Sequence, residues 1–130
     1  MLSYIITTVN NMRNYKIIKA RKMDKYLKYL VAFDKSNRKF KLSNDERLLL
    51  DVVALAKHNG KVLYVKDLIT LNHIASQATL HKALKILVDK KLLEFKITEE
   101  DGRLKKVHLT KLAIKRYNEL SKAIEDAIKN

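Results

Sequence analysis

The chain has 130 residues, 47% of them hydrophobic, and a formal net charge of +14. That length holds one compact domain with a real core but scarcely two, and the apolar share excludes a disordered polyelectrolyte, which combines low hydrophobicity with high charge. With no cysteine in the sequence, there is no disulfide framework, no thiolate metal site and no cysteine nucleophile.

The charge is unevenly placed. Residues 1–42 carry eleven Lys and Arg against Asp24 and Asp34, residues 43–110 carry twelve against nine carboxylates, and residues 111–130 carry five against three. Self-repulsion of this size disfavours a compact state unless an anionic partner offsets it, and nucleic acid is the commonest such partner; a solvated, solubilising surface gives the same count. No apolar run approaches the length of a membrane span, and residues 1–12 lack the basic start of a secretory signal, so a cytoplasmic, nucleoid-associated protein with no membrane partner is expected.

Residues 1–42 are expected to form a basic helical segment. Leu2, Ile5, Val9 and Met12 share a helical stripe that Met23, Tyr26, Leu27 and Leu30 nearly continue, as one long helix or two in line. A break between Asn14 and Ala20 is the competing arrangement, because Lys16 and Lys19 interrupt the stripe. From Ala20 onward Arg21, Lys22, Lys25 and Lys28 take the opposite face. That face is either the solvated back of a dimerisation helix or, with Arg38, Lys39 and Lys41 beyond it, a surface for flanking phosphates.

Ser43-Asn44-Asp45-Glu46 is a capping box, in which the serine hydroxyl and the glutamate carboxylate satisfy each other's orphan backbone donors. A helix with a broad apolar face follows through Leu48, Leu49, Val52, Val53, Leu55 and Ala56, and Asn59-Gly60 supplies its left-handed stop. Val62-Leu63-Tyr64-Val65 is too short for a helix and is expected as a brief strand, a third member of any later hairpin's sheet. A short helix over 66–71, carrying Leu68 and Ile69, precedes a turn at Asn72-His73.

Ser76 caps the next predicted helix, which runs to about Lys90. At 100° per residue, Leu80, Leu84, Leu87 and Val88 share one face, while Ala78, Lys82, Lys85 and Asp89 lie opposite. A helix that reads DNA needs this division, with an inner face locked to its domain and an outer face presenting donors and small groups to base edges. Ser76, Gln77, Ala78, Thr79, His81 and Lys82 fall in its first two turns, the part that reaches a groove floor. Gln77 can pair bidentately with adenine, Ala78 can touch a thymine methyl, and Lys82 and Lys85 suit guanine or phosphate. An ordinary surface helix with solvated lysines has the same pattern.

Residues 93–98 alternate in polarity, 104–109 alternate again, and Asp101-Gly102 turns between them, so a hairpin is well specified. Arg103 sits at its tip with Lys105 just behind. An arginine there suits the narrow minor groove, where its weakly hydrated guanidinium loses little on entering, and Asp101 can hold it by a salt bridge. The last predicted helix, over 111–128, carries Leu112, Ile114, Tyr117, Leu120, Ala123, Ile124, Ala127 and Ile128 at helical spacing. Such a stripe on a final helix fits a partner chain or the N-terminal helix of the same chain.

The run at 74–93, IASQATLHKALKILVDKKLL, with 100–110, EDGRLKKVHLT, resembles the DNA-binding core of the multiple-antibiotic-resistance regulator (MarR) family. The resemblance covers residues 43–120, and its most specific part is the spacing from Leu84 and Leu87 through Asp101 and Arg103 to Leu109-Thr110. It implies a homodimer whose first and last helices pack across a two-fold axis, a recognition helix in the major groove and a wing arginine in the minor groove. It also implies a small-molecule pocket, although no residue here identifies an effector. The chain departs from the pattern at Lys91, where the family has glycine, and that turn is expected to be less tight or mildly strained. The N-terminal segment is also more basic than the resemblance implies.

Enzymatic chemistry is not expected. His58, His73, His81 and His108 lack metal-ligand spacing, and no glycine-rich phosphate loop, nucleophile elbow or carboxylate pair is identifiable. The sequence therefore predicts a mainly α protein with a small β-hairpin, a winged helix-turn-helix over 43–110 flanked by dimerisation helices at 1–42 and 111–130, within a single compact domain. It is expected to bind double-stranded DNA as a transcriptional regulator, with no cofactor, metal or catalytic residue. A sequence-tolerant architectural DNA binder and a winged-helix module that contacts the transcription machinery are the competing functions.

Overall fold

The computed structural model of the chain describes residues 17–98, 102 and 104–129, with 17–22 described by their backbone alone. Among these residues lie α1 (Ile17–Lys39), α2 (Asn44–His58), β1 (Leu63–Tyr64), α3 (Val65–Leu68), α4 (Gln77–Asp89), β2 (Leu93–Ile97), β3 (Lys105–Leu109) and α5 (Lys111–Lys129). The mainly helical architecture with a small hairpin is the expected one. The elements group into two compact units, one of residues up to Lys41 together with Arg116 onward, the other spanning Leu42–Lys115.

In the second unit α2 begins as its sequence requires. The Ser43 hydroxyl accepts from the Glu46 backbone N–H at 3.2 Å, and two carboxylates, Asp45 and Glu46, occupy the first turn where the helix dipole favours them. At the other end Gly60 adopts φ +71°. The Lys61 N–H then folds back onto the Ala56 carbonyl at 2.8 Å, closing the last turn. Only two of the four residues at 62–65 form a strand, because Val65 already starts α3. That helix is also shorter than the predicted 66–71. Ile69 still donates to the Val65 carbonyl, but the Thr70 hydroxyl bonds back to the Lys66 and Asp67 carbonyls at 3.1 Å and Leu71 donates only to Leu68. Such local side-chain bonds compete with continued helix.

β3 lies in the middle of a three-stranded antiparallel sheet of order β1-β3-β2. Leu63 faces Val107, and Leu93, Phe95 and Ile97 face Leu109, Val107 and Lys105. The expected strand before the helix-turn-helix is thus the third member of the wing sheet. Leu49, Leu50, Leu68, Leu80, Leu87 and Leu92 are fully buried, with Val53, Leu84, Leu93 and Val107 nearly so. Each such side chain contributes about 2 kcal/mol of transfer free energy, and together they lock the inner side of α4 to α2 and the sheet.

In the first unit α1 runs unbroken from Ile17 through Ala20, so of the two arrangements the break does not occur in that part; residues 1–16, with the stripe from Leu2 to Met12, lie outside the described residues. Arg38 and Lys39 end the helix where its dipole favours cations. α5 covers most of its apolar stripe, with Leu120 and Ala127 buried and Ile114, Tyr117 and Ala123 half-buried, but not all of it. Leu112, Ile124 and Ile128 are 39%, 44% and 60% exposed, whereas Arg116, in the middle of the helix, is 1% exposed. Its Nη2 donates to the side-chain Oδ1 of Asn37 in α1 at 2.7 Å, and its guanidinium lies 5.0 Å over the Tyr117 ring. Asp34 is also buried, with Arg38 one turn away at 3.6 Å.

Candidate nucleic-acid interface

α4 is presented by its own sequence. Ser76, extended at φ −64° and ψ 157°, accepts from the Thr79 N–H at 3.3 Å and donates through its hydroxyl to Thr79 Oγ1 at 2.9 Å. The cap leaves both hydroxyls at the solvent-facing start of the helix. Gln77, Ala78, Thr79, His81, Lys82 and Lys85 are all exposed, while Leu80, Ala83, Leu84 and Leu87 are buried. The division predicted from 100° periodicity therefore holds, with Ala83 added to the inner side and Val88 only half-buried. The outer face offers one amide, one imidazole, two ammonium groups, a methyl and two hydroxyls. That mixture can hydrogen-bond base edges and phosphates, and it has no nucleophile–base pair.

The far end of α4 is held from two sides. Lys90, its C-cap, reaches Glu46 of α2 at 2.6 Å. Burial pushes the Glu46 carboxyl upward, but the Lys90 ammonium and hydrogen bonds from Ser43 outweigh it and hold the group below the usual carboxylate range. Lys91 then takes φ +62°, the left-handed conformation in which glycine has no penalty. Its N–H donates to Val88, Leu92 donates to the Leu87 carbonyl at 3.0 Å, and Thr110 Oγ1 donates to the Lys91 carbonyl at 2.7 Å. The strain expected at this turn is present, and the turn is nevertheless tight, because the carbonyl of the strained residue is bonded from β3's end.

Of the wing, Lys105 is exposed at the start of β3 opposite Ile97, which is 63% exposed. Arg103 and Asp101, and hence the proposed tip salt bridge, lie outside the described residues. The side chains of Arg21 and Lys22 lie outside them as well. The remaining flanking candidates belong to the other unit. Lys25 is exposed, Lys28 pairs with Asp24 at 3.2 Å, Arg38 pairs with Asp34, and the Lys39 ammonium lies 5.5 Å over the Phe40 ring. Two of these four cations are thus partly neutralised by a carboxylate of their own helix, which a count of charges along the chain misses.

Sequence reasoning also missed Lys96 and Lys106, which the strand register sets directly opposite each other, and Lys66, whose ammonium lies 5.9 Å over the Tyr64 ring. The alternation of the two strands and the Asp101-Gly102 turn together contain that register, but only once the pairing is counted out from the turn.

No protein-family model and no curated protein matches the sequence. The fold is that of MarR-family winged-helix regulators. The structure of the S. aureus MepR–DNA complex superposes with a TM-score of 0.61 at 19% identity, over 88% of this chain and 78% of that one. The adhesin competence repressor AdcR of Streptococcus pyogenes gives a TM-score of 0.50 at 25% identity, over 82% and 76%. The heme sensor PefR of Streptococcus agalactiae, solved with heme, gives 0.54 at 19% identity, over 86% and 75%.

Proposed function

We propose that this chain, built on the winged-helix fold of the MarR-family regulators, is a non-catalytic transcriptional regulator that binds double-stranded DNA as a homodimer in the cytoplasm. The observation that carries the reading is the two-sided α4. Its inner leucines are buried in the domain, and its capped N-terminal half presents Gln77, Ala78, His81 and Lys82 to solvent. A rigidly held helix with short polar groups on its free side fits a major groove, which admits an α-helix and displays a distinct donor and acceptor pattern for each base pair. The MepR structure solved with DNA supports carrying this chemistry over to the present chain.

In this reading Gln77 pairs with adenine, Ala78 meets a thymine methyl, and His81 reads a neighbouring base. Ser76, Thr79, Lys82 and Lys85 fix the helix on guanine or phosphate, and Lys105 holds the backbone beside a minor groove entered by Arg103. Lys25 and Lys28, with Arg21, Lys22, Arg38 and Lys39, add flanking phosphate contacts. The exposed Tyr26, Ile124 and Ile128 of the helical unit are the surface offered to a second copy.

A second reading, a sequence-tolerant architectural DNA binder, draws on the net charge of +14 and on the single amide among the outer side chains of α4. The two differ in how far Gln77→Ala changes discrimination between DNA sequences. A regulator loses it, whereas an architectural protein keeps the same affinity for all duplexes.

A further inference from the structure

The wing sheet has two faces. Leu93 and Val107 are buried on the inner one. Residues paired across antiparallel strands point to the same side, so the register Tyr64↔Lys106 and Lys106↔Lys96 aligns three side chains in one row on the outer face. Lys66 joins the row from α3 through its contact with the Tyr64 ring. Lys66 and Lys96 are exposed and Lys106 is half-buried, and none of the three forms an ion pair among the described residues. Glu94 stands on the same face two residues from Lys96, opposite His108.

Like charges directly opposite one another destabilise a sheet, and the ladder holds the backbones of Lys96 and Lys106 opposite each other within the hairpin, so their stems can only splay to keep the two charges apart. An anion lying along the row removes that repulsion. The row crosses three strands, two spacings of just under 5 Å, so it is about 10 Å long. Phosphates of one DNA strand advance about 3.4 Å each along the axis while winding around it, so a row of this length, extended by the lysine stems, spans neighbouring phosphates of one strand. Lysine ammonium groups, compact point charges on flexible stems, suit phosphate oxygens without selecting a base.

We propose that Lys66, Lys106 and Lys96 hold the sugar–phosphate backbone of the duplex where DNA runs on past the wing, so that the footprint extends beyond the grooves entered by α4 and the hairpin tip. The proposal rests on the DNA-binding reading above. It assigns a binding role to the flat outer face of the sheet, which is separate from the tip and from the recognition helix.

The test uses the full chain and a duplex it selects from a random pool, compared with the same duplex trimmed of about one helical turn on each side. Wild-type protein should bind the longer duplex more tightly and with a steeper salt dependence. The triple variant Lys66→Gln/Lys96→Gln/Lys106→Gln should lose about 2 to 3 units of log–log salt slope per protomer on the longer duplex only, and Arg at the same positions should restore the slope. Because Lys96→Gln removes a like-charge pair, the variant should melt no lower than wild type in the absence of DNA. An unchanged slope on the longer duplex overturns the proposal, as it would if the row served an acidic protein surface instead. Equal losses on both duplexes also overturn it. If wild-type protein retains no duplex from the random pool, the DNA-binding reading itself falls, and the proposal with it.

Discussion

Lys90, the C-cap of α4, contacts Glu46 in the first turn of α2 at 2.6 Å across 44 positions of sequence. The Glu46 side chain is 8% exposed and that of Lys90 is 26% exposed, so the pair is far better shielded than a surface ion pair. It ties the end of α4 to the helix behind it and so fixes the angle at which the outer face of α4 is presented.

The pair makes stability depend on pH in a definite direction. The Glu46 carboxyl is held below its ordinary value of 4.5 in the folded protein. The ionised pair therefore contributes fully at and above that ordinary value, and its contribution is lost as pH falls through the lower, folded value. Glu46→Gln should cost about 2 kcal/mol in urea unfolding at neutral pH. The difference from wild type should shrink below about pH 4.

Lys91 is strained because a side chain is present in the left-handed region. Lys91→Gly keeps the Thr110 bond to the backbone carbonyl and removes the Cβ clash, worth about 1 kcal/mol before the added freedom of the unfolded glycine is subtracted. With that freedom of about half a kcal/mol subtracted, thermal unfolding should rise by on the order of 1–2 °C. A lower melting temperature would mean that the Lys91 side chain itself holds the turn.

The exposed apolar groups of the helical unit, Tyr26 on α1 and Ile124 and Ile128 on α5, are expected to be covered in a homodimer. Ile124→Glu/Ile128→Glu should shift sedimentation from dimer to monomer while leaving the helical circular dichroism intact. A variant that stays dimeric would place the interface elsewhere.

Base reading and phosphate anchoring should separate on α4. Lys82→Ala, if Lys82 contacts phosphate, should weaken binding to all duplexes by a similar factor and lower the salt slope by about 1 per protomer. Gln77→Ala should leave the slope unchanged and cost about 1–3 kcal/mol only on the preferred site. If both variants behave alike in fluorescence anisotropy titrations, Gln77 is not a base-reading residue.

The parts of this structure that were legible from the chain are those whose cause is local. Ser43 and Ser76 cap the helices that follow them, Leu80, Leu84 and Leu87 recur at the helical period and are buried, and Asp101-Gly102 stands between two alternating strands that do pair. What stayed hidden depends on distant neighbours. Arg116 occupies the centre of the buried face of α5 because Asn37, 79 positions away, accepts its hydrogen bond, whereas charge alone assigns it to solvent. The Lys90–Glu46 contact and the opposition of Lys96 and Lys106 likewise arise from packing and register. α3 ends early for a reason that is local as well, the bonding of the Thr70 hydroxyl to its own preceding turn.

Whether this winged helix reads sequence is decided by the ratio of its affinities for a selected site and for random duplex at one fixed salt concentration. A regulator reading bases through α4 should prefer its selected site by about 10³-fold or more, and Gln77→Ala should reduce that ratio. A wild-type ratio near one, with tight binding to every duplex, would mean that the protein reads no sequence and holds DNA by charge alone.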